Sequence, residues 1–217
     1  MKKLLIIIVS TFLLSAAFSQ SNIRFENRKS TGYFNITQVS FLMGNQSPNE
    51  RSPISNHSNN RNDFHFSPSI TMVNGLMLNE HFAMGIGLGI EMFDRNLFPI
   101  FLDVRYTLRD NDVSPFFAVR IGYSIGFRTH HEHLSLNEEP WSISDAYFNQ
   151  NGFKFNPEIG VKIPLSENAD VLLSVGYRHQ QLRSTVTRPR PRGGLDRNYE
   201  FTNSMNRLVF GVAIMFR

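Results

Sequence analysis

The chain has 217 residues and no cysteine, enough for one domain of ordinary size, and a disulfide scaffold or a cysteine zinc site is excluded. Its 22 Lys and Arg outnumber 18 Asp and Glu, but two of those cations, Lys2 and Lys3, open an apolar leader; without them 20 stand against 18, a balance of +2. So slight an excess gives no ground for a nucleic-acid partner.

Residues 1–19 combine Lys2-Lys3, an apolar run from Leu4 to Leu14 and the small-residue ending Ala17-Phe18-Ser19. This pattern predicts a cleaved secretory signal peptide, followed by a single domain over 20–217. Even taken on to Phe18 the apolar stretch is about 15 residues, short of the roughly 20 that a bilayer-crossing helix needs. Beyond it the signal has period two. Tyr33–Met43 has apolar residues on both parities and leaves its outward face unassigned, whereas Phe64–Leu76 alternates acceptably. From Phe82, the series Phe82, Met84, Ile86, Leu88, Ile90 opposes Ala83, Gly85, Gly87, Gly89, Glu91. From Phe98, Ile100, Leu102, Val104 and Tyr106 oppose Phe101, Asp103, Arg105 and Thr107. The same separation recurs from Phe117 to Phe127, Phe153 to Ile163, Val171 to Arg178 and Arg207 to Phe216. Two-residue periodicity with chemically opposite faces predicts strands, eight of about 11 to 13 residues, suited to a tilted membrane crossing.

Long connections (44–62, 128–152 and 183–204) fall only at odd positions in the series. Tight turns on one side and extended loops on the other are the asymmetry of an up-and-down outer-membrane barrel with both termini in the periplasm. A lipocalin-like barrel would show the same alternation with its apolar face inward. Gly85, Gly87, Gly89, Gly122, Gly126, Gly160, Gly176 and Gly211 all lie on the less apolar parity. Glycine weakens a solvated strand without return, yet makes room inside a narrow cylinder. The reading is therefore an all-β, eight-stranded antiparallel transmembrane barrel, apolar face to lipid. Its lumen holds the cations Arg105, Arg120, Lys154, Lys162, Arg178 and Arg207 with the counter-charges Glu91, Asp103 and Glu158, and Arg120 lies between Asp103 and Glu158. Aromatic residues near the strand ends, Phe66, Phe98, Phe127, Phe153, Phe155 and Tyr177 above and Phe82, Tyr106, Phe117 and Phe216 below, predict two interfacial girdles.

Gly32-Tyr-Phe-Asn-Ile-Thr37, Phe98-Pro-Ile-Phe-Leu-Asp-Val-Arg-Tyr106, Ser114-Pro-Phe-Phe117 with Ile121-Gly-Tyr-Ser124, and Leu208-Val-Phe-Gly-Val-Ala-Ile-Met-Phe216 resemble the small porin-like outer-membrane barrel family of Bacteroidetes-type bacteria. The resemblance implies the bacterial outer membrane as location and assembly by the outer-membrane insertion machinery, which reads a final strand ending in an aromatic residue; here Arg217 follows Phe216. Barrels of that architecture include structural proteins, adhesins, narrow pores and lipid A-modifying enzymes, and fold does not choose among them.

For chemistry, Arg183, Arg188, Arg190, Arg192 and Arg197 form a basic outer-loop patch suited to lipopolysaccharide phosphates. His130, His131 and His133 are a weak candidate zinc set, since no helical or cysteine spacing fixes their geometry. His179 is the best base for an acyl hydrolase, with Ser184 and His65 distant, and no nucleophile-elbow motif accompanies it. The expectation is a monomeric, non-enzymatic barrel without cofactor, contacting lipopolysaccharide or an external partner. A narrow channel and an acyl hydrolase are the alternatives.

Overall fold

The structure, a computed structural model, describes residues 30–48, 64–92, 96–109, 113–126, 129–131, 146–188 and 197–217. These hold β1 (Gly32–Pro48), β2 (Phe64–Met77), β3 (Phe82–Glu91), β4 (Leu97–Thr107), β5 (Ser114–Gly126), β6 (Thr129–His131), β7 (Ala146–Ser166), β8 (Ala169–Arg188) and β9 (Arg197–Phe216). Every pairing is antiparallel. The order β5-β4-β3-β2-β1-β9-β8-β7 closes through a β5–β7 ladder, and β6 is a three-residue annex on the upper end of β7. Eight strands thus form a closed barrel without a sheet edge in its wall, which satisfies the backbone internally. Following the register from Ile36 through Val73, Gly87, Phe101, Gly122, Lys154, Gln180 and Met205 returns to β1 at Gln46, ten residues further along. A stagger of that size sets the strands at about 40° to the barrel axis.

The lower turns are tight. Asn79 accepts bonds through Oδ1 from the backbone N–H groups of His81 (2.9 Å) and Phe82 (2.7 Å), a local turn that starts β3. Between β4 and β5, the Arg109 N–H donates to Ser114 Oγ at 2.8 Å. Glu167 and Asn168 alone separate β7 from β8.

Two expectations need correction. The eight wall strands run from 10 residues in β3 to 21 in β7, with 20 each in β8 and β9, so much of 128–152 and 183–204 is strand, and β1 takes 44–48 from the first loop. The hairpin between β8 and β9 stays paired up to Arg188↔Arg197. Its upper part has polar residues on both parities, so no apolar stripe marks it, yet the backbone ladder continues upward. At about 3.3 Å per residue and 40° of tilt, the wall rises roughly 20 Å above the apolar band on this side.

The second correction concerns the lumen, which is more than glycine and ions. β1 turns Phe34, Ile36, Gln38, Ser40 and Leu42 inward and Tyr33, Val39 and Phe41 outward. Phe34 and Ile36 join Val73, Met77, Phe116, Leu172 and Met215 in an apolar plug that fills the periplasmic half. This explains the double apolar parity of β1: one face meets lipid, the other the plug. The β7–β8 ladder breaks between Phe155↔His179 and Glu158↔Gly176, where Pro157 has no N–H to donate.

Candidate functional site

All nine charged residues predicted for the lumen are buried inside it: Glu91, Asp103, Arg105, Arg120, Lys154, Glu158, Lys162, Arg178 and Arg207. Alternate residues of a strand share a face, so each parity assignment carries its side chain inward. Eight of the nine form two tiers, and Lys162 stands nearer the periplasmic mouth. In the lower, Asp103 receives Arg105 Nε at 2.6 Å and Arg120 Nε at 2.7 Å, while Arg120 Nη1 reaches Glu158 at 2.9 Å. Arg120 also donates to Gln38 Oε1 on β1, so one guanidinium ties β5 to β4, β7 and β1 across the tube. Asn156 supports Glu158 at 2.7 Å. In the upper tier Glu91 on β3 accepts from Arg178 at 2.5 Å and Lys154 at 3.1 Å and lies 3.8 Å from Arg207. Gln180 accepts from Arg207 and donates to Ser124 Oγ at 2.9 Å.

Phe101 separates the tiers. Lys154 Nζ stands 4.4 Å from its ring centre and the Arg120 guanidinium 5.4 Å, on a ring whose negative face attracts cations. Gly87 makes the space: a Cβ there would run into the Phe101 ring. Gly87→Ala is therefore expected to push the ring off both cations and to cost about 1–3 kcal/mol of unfolding free energy, read by urea titration of the barrel in vesicles. Above the upper tier, Leu97, Leu182 and Met205 form a small apolar cap. At the periplasmic mouth Arg217 pairs with buried Asp170 at 2.8 Å. Arg105, Lys162 and His81 line a recess there of about 20 Å³, room for one water.

Sequence reasoning missed Gln38, Asn156, Gln180, Ser124 and the role of Phe101. Asn156, Gln180, Ser124 and Phe101 lie on the small inward parity of their strands, where a polar or bulky residue is the signal that would have found them; Gln38 lies on β1, whose two parities the sequence does not separate.

The outer surface is the inverse of the lumen. Ile86 is 63% exposed, Ile159 65% and Val212 54%, within a continuous belt that includes Ile70, Met72, Leu88, Leu102, Ile121 and Leu208. Tyr33, Tyr106 and Phe216 ring its lower border, and Phe66 and Phe153 lie near its upper one. A soluble monomer rarely shows apolar patches beyond a few hundred Å², and here the apolar side chains encircle a wall whose interior is ionic. Closed backbone pairing, an outward apolar band and aromatic borders are what a barrel crossing an outer membrane requires.

No protein-family model and no curated protein sequence matches the chain. Solved structures similar to it include the crystal structure of Neisserial surface protein A, at 14% identity over 85% of this chain and 98% of that one, TM-score 0.47. The solid-state NMR structure of the outer membrane protein AlkL in lipid bilayers matches at 11% identity over 92% and 96%, TM-score 0.48. The crystal structure of the outer membrane protein OprG from Pseudomonas aeruginosa matches at 12% identity over 88% and 97%, TM-score 0.48. At such distances the assignment stands on this chain's own geometry: it is a small eight-stranded β-barrel of the bacterial outer membrane.

Of the remaining candidates, Arg183 is exposed at the outer end of β8. Arg188 and Arg197 face each other in register at the top of the β8–β9 hairpin, with side chains outside the described set; Arg190 and Arg192 lie outside the described residues altogether. The side chains of His130 and His131, and all of His133, are also outside it, as is the leader 1–19. Among the described residues no group of His, Asp and Glu gathers as a metal site. His179 faces outward and bonds Asn206 Oδ1 through Nδ1 at 2.8 Å; the side chains of Ser184 and His65 are outside the described set.

Proposed function

We propose that this protein is a closed structural and interaction scaffold, a monomer that presents its raised outer wall and the loops within 44–62, 128–152 and 183–204 to lipopolysaccharide or to an external partner. The filled lumen carries this reading. Two ionic tiers, an aromatic divider and an apolar plug occupy a cylinder of eight strands, a size whose interior side chains can fill. Ion pairs spanning the tube hold opposite strands together and free the outer face for recognition. Delivery by the outer-membrane insertion machinery and the finer kinship with Bacteroidetes-type small barrels belong to the same reading.

The second reading, a narrow channel, draws on the charged lining. Planar-bilayer recording separates the two. The scaffold reading expects a flat baseline from the folded protein; regular unitary steps that change when Arg120 is replaced would replace it with the channel. For the interaction role, barrels lacking 49–63 or 189–196 are expected to bind purified lipopolysaccharide more weakly than the full chain. Binding unchanged by both deletions would remove those loops from the account.

A further inference from the structure

At the height of the upper girdle the outward side chains are apolar on most strands. Phe66 stands on β2, Phe98 on β4, Ile125 on β5 and Phe153 on β7, with Met92 just past β3. The seam between β8 and β9 departs from this. His179 pairs in register with Asn206. Asn206 Oδ1 accepts from the Tyr177 hydroxyl at 2.7 Å and lies 2.8 Å from His179 Nδ1, so three outward side chains form a hydrogen-bonded polar group within the girdle. Above them on the same face of β8 come exposed Gln181 and Arg183, beside Ser204 and Thr202 of β9. Going up β8, the outward series Tyr177, His179, Gln181, Arg183 changes from aromatic to polar to cationic across the boundary between hydrocarbon and headgroups.

A fixed polar group facing lipid costs desolvation unless something polar meets it there. What lies at that depth in the outer leaflet is the phosphorylated sugar headgroup of its glycolipid. We propose that the β8–β9 seam is a binding site for that headgroup. Arg183 forks onto a phosphate, since guanidinium matches phosphate with two parallel N–H bonds. His179, held by Asn206, presents its other ring nitrogen outward, and Gln181 and Ser204 meet sugar hydroxyls. Tyr177 and the neighbouring Phe153 and Leu208 bound the acyl chains below. Glu200, exposed two residues above Thr202 on β9, sets the upper limit, because its carboxylate repels a phosphate placed higher. This rests on the lipopolysaccharide reading above but puts the contact on the barrel wall rather than on the loops.

The test is native mass spectrometry of the full chain, folded in detergent and titrated with bisphosphoryl lipid A or with the same lipid stripped of its phosphates. Wild type is expected to bind the phosphorylated lipid at least about tenfold more tightly than the stripped one, and Arg183→Ala with His179→Ala to erase that preference. Arg109→Ala, at the opposite end, is expected to behave as wild type. Folding of each variant is scored by the shift between unboiled and boiled gel bands. Arg183→Lys, which keeps charge without the fork, serves as a second variant and is expected to fall between. If wild type prefers the phosphorylated lipid and the double variant keeps that preference, the seam is overturned and the loops remain as the contact. If wild type shows no preference, the lipopolysaccharide reading fails and the seam with it. Competition by inorganic phosphate as strong as by lipid A would reduce the seam to a free-anion site and also overturn the proposal.

Discussion

Replacing Arg120 with alanine is expected to lower the unfolding free energy by about 3–5 kcal/mol, the range for removing one partner of a buried ion pair. Arg120 is fully buried and serves Asp103, Glu158 and Gln38 from three other strands. Without it Asp103 keeps Arg105 and Glu158 keeps the Asn156 amide, so two buried carboxylates lose the cation they share. Most of that cost is the stranded charge rather than the lost attraction. Hence Arg120→Met combined with Asp103→Asn and Glu158→Gln is expected to recover a large part of it. Urea titration of the barrel folded in phospholipid vesicles, scored by gel migration without boiling, measures both. A single variant losing less than about 1 kcal/mol, the scale of an exposed pair, would mean that this tier is hydrated.

Glu91→Gln is expected to have an effect of the same order, about 3–5 kcal/mol, for the opposite electrostatic reason. Glu91 is the carboxylate that Lys154, Arg178 and Arg207 converge on, and Arg178 and Arg207 face each other directly across the β8–β9 ladder. Neutralising it leaves Lys154, Arg178 and Arg207 repelling one another around an uncharged amide. Removing one of them, with Lys154→Met in the Glu91→Gln background, is expected to restore part of the loss. Both effects are expected to change little when salt is raised from about 0.05 to 0.5 M, because buried charges are poorly screened. A loss that disappears at high salt would place these groups in contact with bulk solvent.

Much of this arrangement could be read from alternation alone. Strands β3, β4 and β5 separate so cleanly by parity that the inward side of Glu91, Asp103, Arg105 and Arg120 follows from counting, and glycine on that parity tells which side is inside. The link from Arg120 to both Asp103 and Glu158 was visible for the same reason. Its third partner was not: Gln38 lies 82 residues away on β1, and only barrel closure makes the two neighbours. β1 resisted because its inward face is apolar where the plug stands, so neither parity looks polar. The upper reaches of β7, β8 and β9 resisted because their sequences carry polar residues on both parities and no apolar stripe, although the ladder continues. The His179–Asn206–Tyr177 group needed side-chain geometry, since an isolated outward histidine reads as interfacial.

The account depends on which face of the wall meets lipid. The chain has no cysteine, so single cysteines can be placed without background at outward Ile86, Leu102 and Ile159 and at inward Ala118 and Ser174. With a fluorophore on each and a quencher carried on lipid acyl chains, strong quenching is predicted at the three outward positions and little at the two inward ones. Quenching at Ala118 and Ser174, with Ile86, Leu102 and Ile159 silent, would turn the barrel inside out and contradict the account.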